Sequence, residues 1–65
     1  MYTEVTFLID NTAQIIERDS EGLKSRKVVK ANQAMCWMVK QGKVWEWFKN
    51  DEGNEVAVWE KELAE

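Results

Sequence analysis

Few side chains in this sequence could carry out acid–base or metal chemistry. The 65 residues contain no histidine, which is the usual general base near neutral pH and the commonest metal ligand. A single cysteine, Cys36, cannot form a cysteine-rich zinc site. The sequence also lacks a glycine-rich phosphate loop and a serine in a nucleophile elbow. We therefore expect no catalytic residue, no metal site and no cofactor.

Paired carboxylates and the lone thiol are the remaining candidates for chemistry. Asp51 and Glu52 fall in a predicted turn, and Glu60 and Glu62 fall in the last stretch of the sequence. Acid–base catalysis needs a site that excludes water, which such positions do not offer, so we expect solvated surface. Apolar residues surround Cys36 and predict a buried, unreactive thiol. The sequence therefore predicts a protein that is not an enzyme.

Cations are concentrated in one segment of a chain whose net charge is −3. Residues 23–43 carry six lysines and arginines and no acid, whereas both flanking segments are acidic. Five polar and aromatic residues in this segment would form one outward stripe on a helix: Arg26, Lys30, Gln33, Trp37 and Lys40. Trp and Arg are enriched at interface hot spots. The stripe is therefore the first candidate for a partner-binding site, with Trp37 as its anchor.

The stripe depends on a helix over residues 25–41. Apolar residues recur there at helical spacing and define a second, inward face: Val28, Ala31, Met35, Met38 and Val39. Ser25 could cap the start of the helix, and Gly42 stands where a helix C-cap is usual. The same residues also read as two strands, "LKSRKVVK" and "AMCWMVKQ". In that alternative Trp37 joins the core and the stripe does not exist.

Alternation of apolar and polar residues predicts strands on both sides of this segment. "EVTFLID" and "AQIIER" form a first hairpin, and the runs around Asn50-Asp51-Glu52-Gly53 form a second one through a type I turn with a glycine bulge. The turn sets a register in which four pairs face each other: Lys49–Glu55, Phe48–Val56, Trp47–Ala57 and Trp45–Trp59. Trp45, Trp47 and Trp59 then share one face, which is either core or a second candidate binding face.

These elements predict one small α+β domain over residues 1–65. The expected order is ββαββ, with the helix packed on a four-stranded, mostly antiparallel sheet. The alternative is a small all-β barrel. The N-terminal residues lack a positively charged region, and the longest apolar run, "AMCWMV", is too short to cross a bilayer. We therefore expect a cytoplasmic protein without a membrane partner.

Two functions fit these features. In the first, the protein is a non-catalytic module that occupies an acidic surface of a protein partner, as an inhibitor or modulator of the kind that phages and mobile elements encode. That comparison is an analogy of size and composition. In the second, the basic segment 24–43 binds nucleic acid and Trp37 stacks on a base, although acidic flanks would oppose a polyanion. A homodimer is compatible with either function.

Overall fold

The computed structural model describes residues 1–60 and contains five strands and one helix. The strands are β1 (Tyr2–Phe7), β2 (Thr12–Asp19), β3 (Gly22–Lys30), β4 (Glu46–Lys49) and β5 (Glu55–Glu60), and the helix is α1 (Ala31–Gln41). The predicted α+β class is confirmed. The predicted order and strand number are wrong, because an additional strand, β3, precedes the helix.

β3 occupies the residues that were expected to start the helix. Val29 lies opposite Ala13 of β2, and Lys27 lies opposite Ile15, in an antiparallel ladder with a bulge near Glu17. Ser25 caps no helix; its hydroxyl donates a hydrogen bond to the Glu17 carboxylate at 2.9 Å. The alternative that read "LKSRKVVK" as a strand is therefore right for this stretch, whereas "AMCWMVKQ" lies in the helix. Pairing with β2 overrides the helical spacing in this part of the chain.

Helix α1 follows β3 without a loop. Lys30 is extended, with φ −69° and ψ 148°, and no side chain caps the helix. The Ala31 N–H instead donates to the Asn11 carbonyl at 3.0 Å, which ties the helix start to the β1–β2 turn. Gly42 adopts a left-handed φ of 65° and its N–H donates to the Val39 carbonyl. The predicted C-terminal end of the helix is thus confirmed, whereas its start lies six residues later than expected.

The sheet is antiparallel throughout and has the order β3-β2-β1-β5-β4. β3 and β4 are the two edges, so the helix and the loop after it carry the chain from one edge to the other. The helix contacts β2 and β3. Buried residues of three strands and the helix form the core: Val5, Ala13, Ile15, Ala34, Met38 and Ala57.

The C-terminal hairpin has the predicted register where its strands pair. Lys49 lies opposite Glu55, Phe48 opposite Val56 and Trp47 opposite Ala57. The ladder begins at Glu46, opposite Val58, so the predicted Trp45–Trp59 pair lies just outside it. In the turn, the Asn50 side-chain oxygen accepts hydrogen bonds from the backbone N–H groups of Glu52 and Asn54 at 2.9 and 3.0 Å. The turn chemistry therefore sets the register, as expected.

Within residues 1–60, no helix combines the length and the apolar character needed to cross a membrane.

Candidate binding surfaces

One edge of the sheet is basic. The edge strand β3 carries four exposed cations and no acid; we call Lys24, Arg26, Lys27 and Lys30 the basic edge. Among residues 1–60, the sheet pairs β3 with β2 alone. The N–H and C=O groups on the outer side of an edge strand have no ladder partner. The basic edge therefore combines positive charge with a row of backbone groups that another strand could pair with.

The opposite edge is acidic. The hairpin of β4 and β5 carries one lysine against five acids: Glu46, Asp51, Glu52, Glu55 and Glu60. Its lysine, Lys49, lies 3.9 Å from the Glu55 carboxylate. Four strand spacings of about 4.8 Å place the two edges about 19 Å apart. This exceeds twice the Debye length of about 8 Å at physiological ionic strength. The acids of the C-terminal hairpin are thus separated in space from the basic edge, whereas Glu17 and Asp19 lie on β2 directly beside β3.

The predicted helical stripe is not formed. Arg26 and Lys30 lie on β3, whereas Gln33, Trp37 and Lys40 lie on the helix, because the helix starts only at Ala31. Arg26 lies opposite Ile16, the neighbour of the core residue Ile15, so it is on the sheet face that the helix does not cover. Its guanidinium donates a long hydrogen bond of 3.4 Å to Gln14. The five residues therefore do not form one continuous surface.

Trp37 is half-buried and packs against the core, which corrects the prediction that it points into solvent. Its ring centroid lies 6.2 Å from that of Trp45, with an angle of 51° between the ring planes. The inward face of the helix thus comprises Ala34, Trp37 and Met38. Val39, which was expected on that face, is 76% exposed. The short helix therefore packs a partly different face against the sheet: Met38 is inward as expected, and Trp37 joins it beside Trp45.

Cys36 is exposed, so the prediction of a buried thiol is wrong. It lies on the outer side of the helix with Met35, Val39 and Lys40, around a shallow surface depression. The same difference in helix orientation that turns Trp37 inward turns these apolar residues outward. The structure therefore leaves an accessible thiol on an apolar helix face.

The three tryptophans of the hairpin face lie on the side of the sheet that carries the helix. Trp47 is 49% exposed and stacks on Phe7, with ring centroids 5.8 Å apart and an interplanar angle of 22°. Trp45 and Trp59 are half-buried. Their neighbour Ala57 is fully buried in the core. This face is therefore part core and part surface, rather than one of the two alone.

Lys43, which the sequence analysis included only as one cation of the basic segment 24–43, lies among three tryptophans. Its ammonium nitrogen lies 4.0 Å from the ring centroid of Trp59, 5.8 Å from that of Trp45 and 6.0 Å from that of Trp37. We call these three tryptophans the tryptophan cage. The sequence signal for this arrangement was the stretch "WMVKQGKVW", in which Lys43 lies between Trp37 and Trp45. The distances fall within the range of cation–π attraction.

The other sheet face is not covered by the helix. Ile16 and Val56 are buried there by their neighbours, whereas Phe48 is 50% exposed. The Tyr2 hydroxyl donates a 2.8 Å hydrogen bond to Glu4 on this face. Burial and the bond to the Glu4 carboxylate raise the pKa of Tyr2 to about 12.

Within residues 1–60, no three acidic, cysteine or histidine side chains lie together as a metal site would require.

Comparison of this chain with protein-family models, curated proteins and solved structures finds no match.

Proposed function

We propose that this chain is a small non-catalytic binding protein that docks its basic edge on an acidic surface of a protein partner. The observation that carries the proposal is the edge strand β3, nine residues long and terminal in the sheet of residues 1–60, with four exposed cations. An extended segment of a partner can add to such an edge as a further strand. Main-chain hydrogen bonds would then hold the partner, and the cations would steer it.

Charge on the edge also selects the partner. Lysines on an edge strand discourage pairing with a second strand of the same charge. A pair of β3 strands from two copies would bring eight cations together, whereas an acidic segment would neutralise them. The surface therefore favours an acidic partner over a homodimer through its basic edge. By covering a surface of that partner, the protein would act as an inhibitor or modulator.

Charge reversal on the basic edge tests this proposal. The tagged protein is used to capture partners from a nuclease-treated lysate, beside the double variant Arg26→Glu/Lys30→Glu. Lys49→Glu is the matched control, because it reverses a lysine on the opposite edge of the sheet. We expect the captured protein to be lost with the double variant and kept with the control.

Capture that survives the double variant would overturn the proposed surface. Circular dichroism of the variants must show that they are folded. Both substituted side chains are exposed, so their replacement should leave the fold intact.

Nucleic-acid binding is the alternative, and the separation of the two edges favours it. Strand β4 lies about 19 Å and β5 about 14 Å from the basic edge, so the acidic hairpin repels a polyanion bound there only weakly. Glu17 and Asp19 on the neighbouring strand β2 oppose this mode of binding. Trp37 contributes little to this mode, because its ring packs against the core beside Trp45. The four cations would contact phosphates. Four phosphate contacts predict that the logarithm of the binding constant falls with the logarithm of the salt concentration with a slope of about −3.6. Binding of a labelled duplex with that slope, abolished in the double variant, would support the alternative.

A further inference from the structure

The tryptophan cage surrounds the ammonium group of Lys43 with aromatic rings. Within residues 1–60, the ion pair of Lys49 with Glu55 is the one that the structure contains, and Lys43 has none. The Lys43 nitrogen instead lies over three indole rings, each at most 6.0 Å away. The negative faces of aromatic rings attract cations in this arrangement, and tryptophan does so best. The cage is therefore built to hold a positive charge.

The cage is assembled from three separate parts of the chain. Trp37 comes from the helix, Trp45 from the segment before β4, and Trp59 from β5. Trp37 and Trp45 pack against the core, which fixes their rings in the absence of any ligand. A site whose aromatic walls are already in place loses little entropy when it binds.

A surface cavity of about 350 Å³ borders one member of the cage. Trp59 is part of its wall, and two carboxylates, Glu46 and Glu60, are among the other residues that line it together with Val44 and Val58. The cavity is large enough for a small cationic group and carries the negative charge that would attract one. Glu46, Val58 and Glu60 belong to the sheet face that the helix does not cover, so the cavity borders Trp59 from the opposite side of the sheet and does not open into the cage.

Lys43 enters the cage from the segment between the helix and β4. It follows Gly42, which ends the helix, and precedes Val44, which is 85% exposed. Neither neighbour is part of a strand, so the lysine side chain can leave without breaking the sheet. The lysine ammonium is strongly hydrated, so water competes with the rings for it. A methylated cation presents apolar methyl groups to the indoles instead and fits the same rings better.

We propose that the tryptophan cage is a binding site for a quaternary ammonium group, and that Lys43 is its internal occupant, which the ligand displaces. The cation of a trimethylated lysine side chain and that of choline share this chemistry. The site lies at the β4–β5 side of the sheet, so it is independent of the basic edge.

Titration with choline, followed by the indole N–H signals in the NMR spectrum, tests the proposal. The neutral isostere 3,3-dimethylbutanol has the same shape without the charge. We expect choline to shift the indole signals of Trp37, Trp45 and Trp59, and the alcohol to leave them in place. A parallel titration with Nε-trimethyllysine amide identifies the source, because the tighter of the two ligands shows whether the site accepts a protein side chain or a small molecule.

Two variants test the role of Lys43 and of the rings. Lys43→Gln removes the internal competitor and should tighten choline binding roughly fivefold. Trp59→Leu keeps an apolar side chain without a π face and should weaken binding at least about tenfold. Lys49→Gln and Trp47→Leu are the matched controls outside the cage, and both should bind as the wild type does.

Equal shifts with choline and with the neutral alcohol would overturn the proposal, because binding would then be hydrophobic only. Equal choline affinity in the wild type and in Lys43→Gln would overturn the role of Lys43. If Trp59→Leu fails to fold, the comparison of choline with the alcohol still decides the matter on the unaltered protein.

Discussion

The ring centroid of Trp37 on the helix lies 6.2 Å from that of Trp45, which precedes β4. This contact joins the helix to the segment that leads into β4. This contact crosses from the β3 side of the sheet toward its opposite edge. Aromatic pairs at such distances contribute about 0.5–1.5 kcal/mol beyond the area they bury. Trp37 therefore holds the crossing segment against the core.

Replacement of Trp37 by alanine should be clearly destabilising. Truncation of a fully buried tryptophan costs about 3–5 kcal/mol, and Trp37 is half-buried, so we expect a loss of about 2–3 kcal/mol in the free energy of unfolding. Equilibrium urea denaturation measures this change. Trp47→Ala serves as the comparison, because Trp47 is 49% exposed and should cost less. A loss of less than about 0.5 kcal/mol in the free energy of unfolding for Trp37→Ala would show that the contact does not stabilise the fold.

Cys36 should react with a thiol reagent in the native protein. The side chain is exposed on the outer helix face, so unfolding is not needed for access. We expect the rate of labelling by 5,5′-dithiobis(2-nitrobenzoic acid) to be comparable in buffer and in urea. Cys36→Ser should abolish labelling and change stability by less than about 0.5 kcal/mol. Strong protection of the native thiol would contradict the exposed position.

Two substitutions in the second hairpin should differ in cost. Asn50→Ala removes the acceptor of two backbone hydrogen bonds in the turn and should cost about 1–2 kcal/mol. Glu55→Gln breaks an exposed ion pair of 3.9 Å and should cost less than about 0.5 kcal/mol. Thermal denaturation of both variants makes the comparison. A larger loss for Glu55→Gln would mean that charge pairing, rather than turn chemistry, holds the hairpin.

Tyr2 should make stability depend on pH in the alkaline range. A free tyrosine ionises near pH 10.0, whereas the pKa of Tyr2 in the folded protein is raised to about 12 by burial and by its bond to Glu4. Between these values the unfolded chain loses a proton that the native protein keeps, so stability should fall as the pH rises. Tyr2→Phe should lack this part of the pH dependence. Identical alkaline profiles for the two proteins would contradict it.

Local chemistry in the sequence was enough to predict some elements. The turn at Asn50–Gly53 fixed the hairpin register because side-chain acceptors and a glycine with φ 83° act within five residues. Gly42 marked the end of the helix for the same reason. The charge segregation was visible as well, but its meaning needed the strand order, which places β3 and β4 at opposite edges.

Features that depend on contacts between elements were left open or predicted wrongly from the pattern. Val28 and Ala31 lie at helical spacing, yet Val28 belongs to a strand because β2 pairs with it. The helix exposes Cys36 and turns Trp37 inward, where its ring meets that of Trp45 from the segment after the helix. The tryptophan cage joins a helix, a loop and a strand, and no single periodicity brings such residues together.

The central place of β1 has a consequence for how the chain folds. β1 pairs on one side with its neighbour β2 and on the other with β5, whose residue Ala57 lies opposite Val5, about fifty positions away. The meander of β1, β2 and β3 can form from local contacts, and the second hairpin can form from its own turn. Joining them requires closure of the long intervening segment, which is slow compared with either hairpin. Until that docking step, the edge of β1 that later pairs with β5 has no partner strand. The protein is most prone to aggregation in this interval.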